Sequence, residues 1–346
     1  MTERMMGHAA AAVDRAATLA VEARSRGKQA GKIAVSHATR VAFLERLQQA
    51  YPVGPSGQLF GQVPQIAPLL RHVRNEQGRQ VLDATWPSSY APHLTSFGER
   101  YLSVPENQLA LARLYLSPTP RPMVVLVHGY MSGHFVVDER LWPVSDLLAA
   151  DYDVALFVLP FHGLRGPRQG RSAPQFPGTD PRMTVEGFRQ SVFDLRALLR
   201  WLKAEHHPRA GLMGMSLGGY TACLTATIET GIDFLVPVVP LACLADFSRE
   251  QGYLSASAEQ ADLEHRLLGE VYRSVSPLAR APLLQPDRVV VVAARADRVT
   301  PISHARRLAA HFSAPLVAFP GGHLLQLGRR ASFQSVFSLL ARLNAG

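Results

Sequence analysis

The sequence predicts an α/β protein, a mostly parallel central sheet with helices on both faces. Three observations predict it. Met123 to Val127, Val154 to Leu159, Phe234 to Val239 and Arg288 to Ala294 are short apolar runs rich in β-branched residues, as expected of strands buried on both faces. Between such runs lie helical stripes, the best of them from Thr184 to Ala204, where Val192, Leu195, Leu198, Leu199 and Leu202 share one face. Strands alternating with helices call for the crossover connections of a parallel sheet. Third, Gly214-Met215-Ser216-Leu217-Gly218 follows the apolar Ala210 to Met213 and precedes a helix-like run, the pattern of a serine on a sharp strand-to-helix turn.

Taken in order, residues 1–50 are Ala-rich and helix-favouring, and Gly27 and Gly31 divide them into two expected helices. In the second, Val41, Leu44 and Leu47 recur at helical spacing beside Phe43. Arginines at 15, 24, 26, 40 and 46, with Lys28 and Lys32, make this region basic. Three readings stay open for it: an arm packed on the main domain, a contact with a second copy in a homo-oligomer, or peripheral contact with an anionic membrane surface. Residues 51–70, punctuated by Pro52, Gly54, Pro55, Gly57, Gly61, Pro64 and Pro68, read as a linker, so residues 1–70 form an extension and 71–346 the main domain. Leu109 to Leu116 reads as an early, partly exposed strand. A helix is expected over about 138–150, and a Pro/Gly-rich loop from Pro160 to about residue 183. After the serine turn come a helix from Tyr220 to Glu229 and the Phe234 strand. Residues 244–285 read as a helical cap inserted over the sheet edge. The four-valine strand follows, then a helix over 302–312, a last strand from Pro315 to Phe319 and a closing helix from Ser332 to Leu343.

The 346 residues are 47% hydrophobic and 18% charged, a globular composition. The net charge of +9 would suit nucleic acid, but only Lys28, Lys32 and Lys203 among 36 basic residues are lysines, and the arginines are scattered, so no nucleic-acid partner is expected. Cys223 and Cys243 read as buried free thiols. Charges at Asp14, Arg15 and Glu22 interrupt every apolar run near the N-terminus, and no stretch is long enough to span a bilayer, so a cytoplasmic protein is the expectation.

A serine hydroxyl needs a base to take its proton, and the base needs an orienting carboxylate. In a parallel sheet the loops at the carboxyl ends of the strands converge. The four-valine strand is followed by Asp297 and the last strand by Gly321-Gly322-His323, giving the order Ser216, Asp297, His323. Among rivals, Asp246 follows the Phe234 strand and is within reach of the same histidine, whereas Asp287 stands at the wrong end of its strand. His304 and His311 fall on the helix after Asp297, where exposed histidines are common. The backbone N–H of Leu217 and that of Tyr130, with Met131 next, are the expected donors to an oxyanion. His128 reads as a brace of that loop. His162 either lines the substrate cleft or stabilises its own loop, and Arg165 reads as paired with a carboxylate in the loop.

The strand-His128-Gly129 loop, Gly214 to Gly219, Asp297 to Pro301 and Gly322-His323 together resemble the α/β-hydrolase superfamily over about residues 105–345. The resemblance implies Ser216 as acyl-forming nucleophile, Asp297 as acid and His323 as base. A serine at the turn separates the chain from the dehalogenase branch, which has aspartate there. The expected activity is hydrolysis of a carboxylic ester or related acyl bond, with no metal or organic cofactor. The substrate expected is a small apolar or lipid-like ester, because residues 244–285 and the 160–183 loop would cover the site. Acyl transfer by the same three residues and a non-catalytic binding scaffold are the alternatives.

Overall fold

The computed structural model describes residues 2–29, 35–53, 58–167, 174–205 and 207–345. Along the chain run α1 (Glu3–Gln29), α2 (His37–Ala50), β1 (Leu69–Glu76), β2 (Arg79–Pro87), α3 (Thr95–Tyr101), β3 (Leu109–Leu116), β4 (Met123–Val127), α4 (Phe135–Leu141), α5 (Val144–Ala149) and β5 (Asp153–Phe157). They continue as α6 (Pro181–Ala204), β6 (Ala210–Met215), α7 (Leu217–Ala226), β7 (Leu235–Val238), α8 (Leu244–Glu250), α9 (Ala258–Arg273), β8 (Val291–Ala294), α10 (Ile302–His311), β9 (Leu316–Phe319) and α11 (Arg329–Ala345).

Among the described residues nine strands form one sheet in the order β1-β2-β3-β5-β4-β6-β7-β8-β9. The β1–β2 and β2–β3 pairs are antiparallel, as is β3–β5, and the six strands from β5 to β9 in that order are parallel. The α/β class with helices on both faces is therefore the fold observed. Every residue of β4 and β5 is buried, as the apolar runs Met123 to Val127 and Val154 to Phe157 require, and Asp153 at the start of β5 accepts from the Ser117 N–H and hydroxyl. Alternate side chains serve two cores. Val125 and Val127 join α6 and α7 on one face, and Val124 and Leu126 join α4, α5 and α11 on the other. From β4 the chain steps to β5 on one side and to β6 on the other, so the crevice above the β4–β6 pair is the topological switch point.

Several local expectations are corrected. The helix expected over 138–150 is two, α4 and α5, because Pro143 lacks the N–H that would continue α4. β3 is mostly buried rather than partly exposed, because β2 pairs along its whole length. The sheet's outer hairpin starts at Leu69, inside the segment read as linker, and turns at Gln77-Gly78, both with positive φ. α1 runs through Gly27; Gly31 and Lys32, residues 54–57 of the linker and residues 168–173 of the long loop lie outside the described residues.

Leu44 and Leu47 of α2 are buried, and the helix packs against α9. Ala10 and Asp14 of α1 are fully buried, against the loops that follow β8 and β9. α8 and α9 make up the first part of the 244–285 segment, with α9 lying on α2, α6 and α8, and residues 274–285 carry only a short 3-10 turn. The turn after α8 reaches the loop after β8, where Gln251 Nε2 donates to the Val299 carbonyl at 3.3 Å. Among the described residues no helix is long and apolar enough to cross a membrane.

Candidate active site

Ser216 stands between β6 and α7 at φ 56°, ψ −113°, a conformation that costs a non-glycine residue about 1–3 kcal/mol and persists only where its surroundings enforce it. Two glycines make the turn sterically feasible. A Cβ on Gly214 would lie 2.2 Å from the Gly218 carbonyl oxygen, and one on Gly218 would lie 2.0 Å from the Val127 oxygen. The turn is locked to β7 by the Ser216 N–H, which donates to the Val238 carbonyl at 2.9 Å. Ser216 itself is 8% exposed.

Leu217 begins α7, so its N–H has no acceptor within the helix and sits at the positive end of the dipole. The loop after β4 closes on the serine from the other side, with Gly129 against Met215 and Ser216. That loop is held by His128. Its Nδ1 faces the Gly129 carbonyl at 2.7 Å and its Nε2 accepts the Leu159 N–H at 3.0 Å, which fixes the neutral tautomer protonated at Nδ1. Burial lowers the His128 pKa in the same sense. Tyr130 and Met131 follow at the surface, Met131 with φ 67°.

At the ends of β8 and β9 the second half of the site is assembled. Asp297 Oδ1 accepts the N–H groups of Val299 (2.8 Å) and Thr300 (2.7 Å), an aspartate turn that orients the carboxylate. Its Oδ2 lies 2.8 Å from His323 Nδ1. The Thr300 hydroxyl lies 3.0 Å from the same nitrogen and 3.1 Å from Asp297 Oδ2, and also reaches the Val239 carbonyl at 3.0 Å. Burial alone would depress the His323 pKa, but the neighbouring Asp297 charge and hydrogen bond, helped by Asp14, outweigh it and hold the imidazole above its ordinary value. Gln326 ties the two halves together. Its Nε2 donates to the His323 carbonyl at 3.0 Å and lies 3.6 Å from Met215 Sδ, beside the serine.

The rival residues are engaged elsewhere. Asp246 on α8 pairs with His265 at 2.7 Å and with Arg307; those partners overcome burial and hold its pKa down at about 2. Asp287 is exposed in the turn that leads into β8, at the opposite end of that strand from Asp297. His304 is 1% exposed, against expectation, and lies between the Ala242 N–H and Glu250 Oε2. His162 is fully buried beneath Tyr130, ring centroids 5.7 Å apart, so it supports that loop rather than lining an open cleft; burial pushes its pKa down to about 3. Arg165 is fully buried and pairs with Asp194 of α6 at 2.7 Å, not with a carboxylate of its own loop. Cys223 and Cys243 are free, with burial raising both thiol pKa values.

Sequence reasoning missed two residues that shape this site. Thr300 was unremarked between Asp297 and Pro301, although a hydroxyl three residues after an aspartate is suited to such a turn. Asp14 entered only as a charge breaking an apolar run. Its signal was the helical register Gly7, Ala10, Asp14, which sets two small residues and a carboxylate on one stripe.

An open, mostly parallel sheet with a serine on a left-handed turn at its switch point, and an acid–histidine pair after later strands, defines the α/β-hydrolase class. The chain belongs to the alpha/beta hydrolase family, whose sequence profile matches residues 124–333. It is 34% identical over 277 residues to an uncharacterized protein of Mycobacterium tuberculosis, found in strains H37Rv and CDC 1551 / Oshkosh; the match covers 78% of this chain and 66% of that protein's length. Its fold is similar to that of acetyl xylan esterase 1 from Thermoanaerobacterium sp. JW/SL YS485 (TM-score 0.57, 16% identity, 86% of this chain and 98% of that one). It is likewise similar to that of an acetyl xylan esterase from Paenibacillus sp. R4 (TM-score 0.56, 18% identity, 85% and 98%).

Proposed function

We propose that the chain is a serine hydrolase that cleaves a carboxylic ester or related acyl bond through a covalent acyl-enzyme. The observation that carries this reading is the strained Ser216 at the switch point, in a sheet whose later strand ends hold the His323–Asp297 pair. His323 Nε2 takes the Ser216 Oγ proton as Oγ attacks the substrate carbonyl carbon, while Asp297 holds the Nδ1–H and balances the imidazolium charge. The carbonyl oxygen becomes an oxyanion, met by the N–H groups of Leu217 and Tyr130. Collapse breaks the ester bond, His323 returns the proton to the leaving alcohol, and the acyl group stays on Oγ. A water, deprotonated by His323, then releases the acid and restores the serine.

The rim favours an apolar acyl group. Tyr130 and Met131 on the loop that closes on the serine, Tyr253 near Tyr130, and Leu324 beside His323 are large apolar or aromatic side chains left exposed. Such a grouping is unusual on a monomer's surface away from a binding site. The test is labelling by a fluorophosphonate probe, followed by an ester panel of increasing acyl length, with Ser216→Ala as control. Labelling that depends on Ser216 and a kcat/KM that rises with acyl length are expected. Absence of labelling in folded protein would sink the hydrolase reading, and a preference for acetyl esters would sink the apolar one.

A further inference from the structure

The N-terminal helix reaches the catalytic loops. Asp14, on its fourth turn, is fully buried and accepts three backbone hydrogen bonds from two loops that come together only in the fold. Its Oδ2 takes the N–H of His323 at 2.8 Å and of Arg298 at 3.1 Å, and its Oδ1 takes the N–H of Leu324 at 3.0 Å. One carboxylate thus bridges the residue after the acid, the base itself and the residue after the base. The approach is built for closeness. A Cβ on Gly322 would stand 2.7 Å from Asp14 Oδ2 and 3.1 Å from Ala10 Cβ, and one on Gly7 would stand 3.3 Å from the Pro320 oxygen. Gly7, Ala10 and Asp14 recur at helical spacing on a single stripe of α1, and none of the three lies within the region matched by the family profile.

We infer that Asp14 is a positioning residue of the hydrolase site: α1 is a strap whose carboxylate fixes the His323 loop against the Asp297 loop. The inference rests on the serine-hydrolase reading. A carboxylate that accepts N–H groups from both loops sets their separation, and that separation sets the His323 Nδ1–Asp297 Oδ2 contact. Hydrogen bonds to an ionised acceptor are about twice as strong as neutral ones, and here they are shielded from water. Asp14 touches no reacting atom, so its effect on chemistry passes through His323. It also adds charge. The charged groups facing His323 are Asp297 from the loop after β8 and Asp14 from α1, while Arg298 offers that cluster its backbone N–H and leaves its own side chain exposed.

The test compares the full chain with Asp14→Asn, which keeps the shape but sets an amide group against the N–H donors, and with Asp14→Ala. Three readouts are taken: circular dichroism, amide hydrogen exchange over residues 296–300 and 321–327, and the rate of fluorophosphonate labelling of Ser216 against pH. Expected are an unchanged sheet and faster exchange in both loops. Labelling should slow by about 10- to 100-fold, the cost of a misplacement near 1 Å, and its acid limb should move to lower pH as one carboxylate leaves the imidazole. Wild-type labelling rate and pH profile in Asp14→Asn would overturn the inference. So would loss of the whole fold, which would make Asp14 a keystone of stability rather than a positioning residue. A wild-type protein that does not label would refute the hydrolase reading instead, and the exchange data would still report whether Asp14 holds the loops.

Discussion

Gly218→Ala puts the geometry of the serine turn to a quantitative test. The added methyl would lie 2.0 Å from the Val127 oxygen and 2.5 Å from the His128 oxygen, both backbone atoms of β4 and its following loop. Neither can turn aside as a side chain would. To restore an ordinary contact, α7 must retreat from β4 by about 1 Å, and overpacking of this kind costs about 3 kcal/mol. Unfolding entropies of about 2.1 cal/mol/K per residue make each kcal/mol worth about 1.4 °C in a chain this long, so Tm should fall by about 4 °C. The catalytic loss should be larger in proportion, because the retreat carries Ser216 and the Leu217 N–H away from the Tyr130 loop; about 100-fold slower labelling is expected. Gly269→Ala is the matched control. Its Cβ would meet only Ala245 Cβ at 4.0 Å, inside α9, so the better helix former should raise Tm by about 1 °C with labelling unchanged. Differential scanning calorimetry and labelling kinetics on both variants decide the matter. A Gly218→Ala protein with wild-type Tm and rate would refute the steric argument, whatever the fate of the mechanism.

Three further outcomes follow from the electrostatics. The reaction needs neutral His323, whose pKa stands above the ordinary histidine value, so the wild-type rate should fall as pH drops through that raised value. Asp297→Asn should slow labelling by about 10³- to 10⁴-fold and shift the remaining acid limb to lower pH; an unshifted limb would mean that Asp297 does not set the histidine's charge. Asp246→Asn, which breaks the contacts with His265 and Arg307, should leave the labelling rate and its pH profile unchanged. A large loss there would revive Asp246 as the acid.

Much of the sheet was legible because its inner strands are written locally. Val124-Val125-Leu126-Val127 and the four valines before Ala293 are apolar on both faces, and only a strand with cover on each side accepts that. That Ser216, Asp297 and His323 each stand in the turn after a strand was legible for a related reason, since an apolar run shortly precedes each of them. The hairpin at Leu69 was not, because β1 is an edge strand with mostly exposed residues and so lacks an apolar run. The buried Arg165–Asp194 pair and the burial of His304 depend on side chains brought from distant elements, which no periodicity records. Asp14 is the extreme instance. Its partners lie 284 to 310 residues further along, so the carboxylate reads only as a charge that interrupts an apolar run until the fold brings the loops to it.

That separation has a consequence for biosynthesis. α1 leaves the ribosome before the amides it will hold, which are made 284 to 310 residues later. At about 5–20 residues per second, the wait is about 15–60 s. Throughout that interval α1 has no loops to hold, and the serine turn, once made, still precedes its base. A product that stops short of Gly322 lacks His323, and on the proposed mechanism the serine gains a base only when the loop after β9 docks on α1.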